Sequence, residues 1–198
     1  MAPDTHLIRP AVAADVEPLV RTLVRAFEDY PMTRQGLAAD GYLDRLERYQ
    51  RLFLTRIGLA HGKVWASDDH SAVAVWTTPR TPRDVFSPLA PELREIAGER
   101  ALVAESYEQA MSVLRPREPL WFLNVVGVAP DRQGRGLGRA VIAPGLARAD
   151  QDRSAAFLET QDAGNVGFYQ SLGFEIVGEI ALPHNGPTHW AMRRPPQR

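Results

Sequence analysis

Gly134, Gly136 and Gly138 recur at every second position between an apolar strand and a helix. The strand runs from Leu120 to Val128 and breaks at Pro130; the helix starts at about Leu137. Strand, glycine loop and helix together aim backbone N–H groups and a helix N-terminus at an anion. Glycine leaves that approach clear of side chains. The alternative reading is a tight strand-to-helix turn with no ligand. Two nucleotide-binding patterns fail. A dinucleotide fingerprint from Gly134 needs glycine at position 139, which is Arg139. A Gly-Lys-Ser/Thr phosphate loop fails at Gly138-Arg139-Ala140.

The elements that must position this loop follow from periodicity. Ala14 to Phe27 places Val16, Leu19, Val20, Leu23, Val24 and Phe27 at helical spacing, and Pro31 stops it. Tyr42 to Leu59 is a second helix. His6 to Arg9, Gly62 to Ser67 and Ser71 to Thr78 read as strands, the last two around the turn Asp68-Asp69-His70. Pro88 to Pro91 reads as loop, and Glu92 to Leu114 as helix interrupted near Gly98. Beyond the glycine loop come a helix to Ala149, a strand within Ser154 to Thr160, and a short helix Asn165 to Leu172 ended by Gly173. Phe174 to Leu182 and Thr188 to Arg193 close the chain as strands. The order predicts one mixed α/β domain over 1–198, with 5–194 as its ordered core.

Composition excludes several function classes. The 198 residues are 44% hydrophobic and 24% charged, an ordinary globular balance. A net charge of -1 supplies no field for nucleic acid or an acidic membrane. The absence of cysteine excludes disulfides, a thiolate nucleophile and cysteine-ligated metal. Met1 to Pro10 has no apolar signal core, and no apolar run approaches the roughly 20 residues of a membrane span. The expectation is a cytoplasmic protein without metal, monomeric or homodimeric.

The spacing of Val126, Val128, Pro130, Gln133, Gly134, Gly136 and Gly138 resembles the acetyl-CoA motif of the GNAT superfamily of N-acetyltransferases. The resemblance implies a mostly antiparallel sheet flanked by helices, with two strands splayed at the acetyl-CoA site. Loop amides from Gln133 through Arg135, Leu137 and Arg139 would then wrap the pyrophosphate, and Val126-Gly127-Val128 would pair with the pantetheine arm. Arg135 or Arg139 would add a phosphate contact; the alternative is a solvated surface charge. A backbone N–H at Val126 or a neighbour would polarise the thioester carbonyl.

Asn165 to Phe174 resembles the same superfamily's C-terminal motif, a helix ending in Tyr-x-x-x-Gly-Phe. The resemblance makes Tyr169 the general acid for the leaving sulfur, against the alternative of half-core packing with a backbone-bonded hydroxyl. Asp162 stands where many members carry asparagine, and Asn165 lies four before the tyrosine instead of seven. Glu159 ends the intervening strand. It is a candidate base or amine anchor, against the alternative of a solvated or arginine-paired carboxylate. His184 is a rival base.

Longer runs resemble the puromycin-acetylating, antibiotic-resistance branch of the superfamily. They include Ala26 to Arg34, Leu52 to Leu59, Ala72 to Pro79, Trp121-Phe122-Leu123 and Phe157 to Thr160. That similarity implies transfer to the free amine of an aminonucleoside. An aryl side chain wants an aromatic pocket, and Phe27, Tyr30 and Trp121 are expected to bind it, with Glu159 near the amine. The alternatives are another small amine or amino acid as acceptor, or a non-catalytic acyl-CoA-binding sensor.

Overall fold

Residues 63–77 alternate β-branched and aromatic side chains on both sides of a turn, a pattern that buries two faces of a sheet. The computed structural model describes residues 7–197. In it, β1 (Ile8–Pro10), β2 (Lys63–Ser67), β3 (Ala72–Thr77) and β4 (Trp121–Val128) form an antiparallel arm. β5 (Ala156–Thr160), β6 (Glu175–Ala181) and β7 (Thr188–Arg194) form a second one. The seven strands order as β1-β2-β3-β4-β5-β7-β6, and only β4 and β5 run parallel. A parallel step requires a crossover, which the glycine loop and α6 (Leu137–Gln151) supply.

Helices cover both faces. On one, Leu137, Val141, Ile142 and Leu146 of α6 pack on Trp76, Trp121 and Leu158. Gly145 lets α6 lie directly on the Trp76 ring, since a Cβ there would stand 2.4 Å from Cε2. On the other face, Leu19, Val20 and Leu23 of α1 (Val16–Phe27) pack on Val64, Val73, Val75 and Val125. Behind α1 lie α3 (Tyr42–Leu52) and α4 (Ala90–Ala97), while α5 (Ala101–Ser112) packs Tyr107 and Met111 on Ile180 and Leu182. α7 (Ala163–Gln170) follows β5.

Four sequence expectations are corrected. Pro31 does not simply stop a helix; it opens α2 (Pro31–Gly36), because proline suits the first helical turn. The second helix passes at Phe53–Leu59 into a π-helical turn, where Gly58 sits tight against Val64 and Val75. The segment around Pro88 contains a 3-10 turn, Ser87–Leu89, leading into α4. The first strand is Ile8–Pro10, and His6 lies outside the described residues. The interruption at Gly98 is present, with a φ of +62°.

β4 carries a bulge. Val75 pairs with Val125 and Trp76 with Leu123, so Asn124 has no partner on β3. The extra residue inverts the alternation. Trp121 and Leu123 face α6, Val125 faces α1, and Val126 and Val128 return to the α6 side.

Candidate active site at the parting of two strands

β4 and β5 pair only at Trp121–Ala156, Phe122–Phe157 and Leu123–Leu158. Past the bulge they separate, leaving Val125–Val128 of β4 with a ladder to β3 alone. The gap opens toward the glycine loop. Gly134 (φ +74°) and Gly136 (φ +84°) adopt left-handed backbone, and a Cβ on either would meet nothing within 4 Å. Gly136 caps α6, whose first N–H groups have no intrahelical acceptor. Gln133 donates its side-chain amide to the Val128 carbonyl (3.2 Å), tying loop to strand. An open cradle of glycines, a helix N-terminus and a strand with one unpaired edge fit the pyrophosphate and amide arm of CoA.

Tyr169 of α7 packs in the core cluster with Leu123, Leu137 and Leu158 and is 6% exposed. Its hydroxyl has no hydrogen-bond partner among the described residues. Burial, with Tyr30 and Asp162 adding to it, pushes the hydroxyl's pKa up, so it remains a proton donor at neutral pH. Asp162 caps α7 by accepting from the Gly164 N–H (2.8 Å). Asn165 lies in the first turn, its N–H on the Asp162 carbonyl. The departure noted at Asp162 therefore has a helix-capping role.

Glu159 projects from β5 on the face opposite α6, its side chain 10% exposed. Arg115, in the connector after α5, grips it twice: Nε to Oε1 at 2.8 Å and Nη2 to Oε2 at 2.9 Å. Burial raises the Glu159 pKa, against the lowering influence of Arg115. Arg115 also holds Glu108 of α5. His189 of β7 approaches Glu159 as well, with Nε2 3.7 Å from Oε1. It is fully buried, and burial with Arg115 pushes its pKa down to about 4. Burial raises the Tyr49 hydroxyl's pKa, and the charges of Glu108, Arg115 and Glu159 are near enough to act on it.

Several expected residues sit differently. Trp121 is 4% exposed between Trp65 and Trp76, with its indole N–H on Asp152 (3.0 Å); it is core, not a pocket wall. Gly127 turns toward α1, where a Cβ would stand 2.8 Å from Leu23, so its missing side chain serves helix packing. Arg139 bonds the Ser171 hydroxyl at 2.7 Å and clamps α6 to the end of α7. Arg135 is exposed on the loop. His184 is an exposed turn residue at φ +56°; the histidine beside Glu159 is His189. Tyr30 and Phe27 do meet, edge to face at 5.1 Å, but the Tyr30 hydroxyl is committed to the end of β5. It accepts from the Gln161 N–H (2.8 Å) and contacts Thr160 and Gln161 side chains.

Sequence reasoning missed Arg115, Tyr49, Gln161 and His189. Arg115 had one available signal, its place in a proline-bounded connector just before the strand that meets β5. Tyr49 and His189 sit in ordinary amphipathic and alternating patterns and carry none.

Residues 94–176 match the model of the acetyltransferase (GNAT) domain. Solved structures share the fold over nearly the whole chain. A histone acetyltransferase HPA2-related acetyltransferase from Corynebacterium glutamicum superposes with a TM-score of 0.75 at 26% identity, covering 98% of this chain and 97% of its own. Arylalkylamine N-acetyltransferase 2 from Aedes aegypti gives 0.68 at 14% identity, covering 98% and 100%. A Drosophila melanogaster polyamine N-acetyltransferase gives 0.65 at 14%, covering 96% and 99%. The domain match, the shared fold and the parted strands together indicate an acetyl-CoA-dependent N-acetyltransferase with the GNAT fold.

Proposed function

We propose that the chain acetylates the free amine of a small molecule with an aromatic body, of the aminonucleoside type represented by puromycin. The observation that carries the catalytic reading is Tyr169, a buried ring whose hydroxyl has no hydrogen-bond partner among the described residues. A hydroxyl built for packing would be bonded to backbone; this one is left to donate. Acetyl-CoA supplies the acetyl group as a thioester. The loop from Gln133 to Arg139 and the free edge of Val126, Gly127 and Val128 hold it, with Asn165 at the edge of the same opening. Glu159, turned from Arg115, takes a proton from the ammonium nitrogen, which then attacks the acetyl carbon. As the C–S bond breaks, Tyr169 protonates the departing sulfur, and the second proton lost from the nitrogen restores the Tyr169 hydroxyl. No acyl-enzyme arises on sulfur, since the chain has no cysteine.

Support for the acceptor comes from the rings on the Glu159 face. Phe27, Tyr30, Tyr49 and Phe122 are all partly exposed and sit on or beside the elements that bury Glu159. Such walls suit an aryl ether better than a bare polyamine. The fold relatives acetylate several amine classes by name, including a polyamine and arylalkylamines. Purified protein, acetyl-CoA and a panel of puromycin, agmatine and tryptamine, followed by thiol release, tests both levels. Release with puromycin alone supports the acceptor; release only with agmatine or tryptamine removes it and leaves the chemistry.

One observation favours a second reading. Arg115 neutralises Glu159, as a carboxylate kept for structure would be. A non-catalytic acyl-CoA sensor would bind acetyl-CoA by calorimetry and release no thiol with any amine.

A further inference from the structure

We propose that His189 is a positioning residue for Glu159, its Nε2–H aimed at the carboxylate by a hydrogen-bond chain that begins at Tyr30. The inference rests on Glu159 being the amine-facing carboxylate proposed above. Glu159 pairs with Ala191 across β5 and β7, which sets His189 diagonally beside it. The Tyr30 hydroxyl lies 3.1 Å from Gln161 Oε1, and the acceptor-only Met111 Sδ lies 3.6 Å from the other end of the amide, which assigns that end as the nitrogen. The amide nitrogen then points at His189 Nδ1, 2.6 Å away. A nitrogen that accepts there carries no proton, so the ring proton lies on Nε2.

That Nε2 is buried and has no hydrogen-bond partner. Its nearest anionic atom is Glu159 Oε1, at 3.7 Å, just beyond bonding distance. Arg115 holds both carboxylate oxygens at present. Arg115 is also paired with Glu108, so it keeps a counter-ion when Glu159 turns to an incoming ammonium. In that turn the carboxylate loses two donors, and His189 is the buried donor within a small rotation. The groups facing Glu159 are Arg115 of the connector, Glu108 of α5, Tyr49 of α3, Tyr30 ahead of α2 and His189 of β7. Among them His189 is the neutral N–H donor whose tautomer is imposed from outside the site. The device differs from a base: the ring passes no proton and stays uncharged.

The test uses the full chain, with acetyl-CoA and whichever of puromycin, agmatine or tryptamine is turned over fastest. Nitrogen-15 NMR of the histidine rings should show His189 as the neutral Nε2–H tautomer between about pH 5 and 8. Gln161→Leu should release it into a tautomer mixture. His189→Leu removes the donor; the acid limb of kcat/KM should move up by about one pH unit, a loss of about tenfold near pH 6 and far less on the alkaline side. His189→Gln, which offers an amide N–H at the same depth, should recover most of that shift. Acetyl-CoA affinity by calorimetry should hold in every variant, which separates misfolding from repositioning. A protonated or Nδ1–H ring, or an acid limb unmoved in His189→Leu, overturns the proposal by itself. Wild-type turnover and pH profile in Glu159→Gln overturn the assignment of Glu159, and the positioning role falls with it.

Discussion

Removing a single oxygen from Tyr169 isolates its chemical contribution from its packing, because the hydroxyl has no hydrogen-bond partner among the described residues. Tyr169→Phe should lower kcat on the order of 10²-fold or more while acetyl-CoA affinity stays within about twofold. Stopped-flow thiol detection beside calorimetry reads both. Glu159 behaves differently because it is buried against a cation. Its raised pKa places the carboxyl-to-carboxylate transition above the ordinary range, so kcat/KM should fall as pH drops through that raised value. Glu159→Gln should abolish this acid limb along with most of the activity. Arg115→Ala should be worse for folding than Glu159→Gln, since it leaves a carboxylate buried without its partner. Comparing the urea midpoints of the two variants checks that order.

At the scale of the element, the glycine loop works through backbone conformation. Gly136→Ala forces a Cβ into the left-handed region, a cost of about 1–2 kcal/mol that falls on the loop. Space is not the problem, so the expected result is a raised KM for acetyl-CoA together with a Tm loss of about 2–4 °C for each kcal/mol of that strain. Gly145→Ala is the converse case. Its Cβ would strike the Trp76 ring, and Tm should drop on the order of 5 °C. The KM for acetyl-CoA, raised in Gly136→Ala alone, separates the two glycines. These elements were legible in the sequence because their signals are local: strand alternation at Val73 to Trp76, helical spacing at Val16 to Phe27, glycines at 134 and 136. The turn at Pro31 and the π-helical turn at Phe53–Leu59 were not, since a proline that ends one helix and one that begins another read alike. The cluster around Glu159 was legible only at Glu159. Arg115, Gln161 and His189 converge on it from three elements, and Trp121 looked like a pocket wall until the bulge and α6 placed it in the core.

At the scale of the whole molecule, charge anchors the N-terminal strand to the sheet's far side. Asp15 is 5% exposed and accepts from Arg9, His70 and the Val12 N–H. The Arg9 guanidinium, chiefly, holds its carboxyl well below the usual carboxylate range. A depressed folded-state pKa contributes stability above the unfolded value and loses it as pH falls, here below about pH 4. Asp15→Asn should therefore lower the urea midpoint at neutral pH, with the difference from the native chain narrowing progressively under acid. Equilibrium unfolding at a series of pH values follows it.

The two arms of the sheet meet in only three residue pairs, and past Leu123 the β5 side of β4 has no ladder. Amides on that side of residues 124–128 should exchange with deuterium quickly, while those bonded to β3 exchange slowly, in a single strand. Acetyl-CoA laid along that edge would slow the fast set and leave the slow set alone. The strand thus carries its own isotopic record of occupancy, readable before any acceptor amine is known.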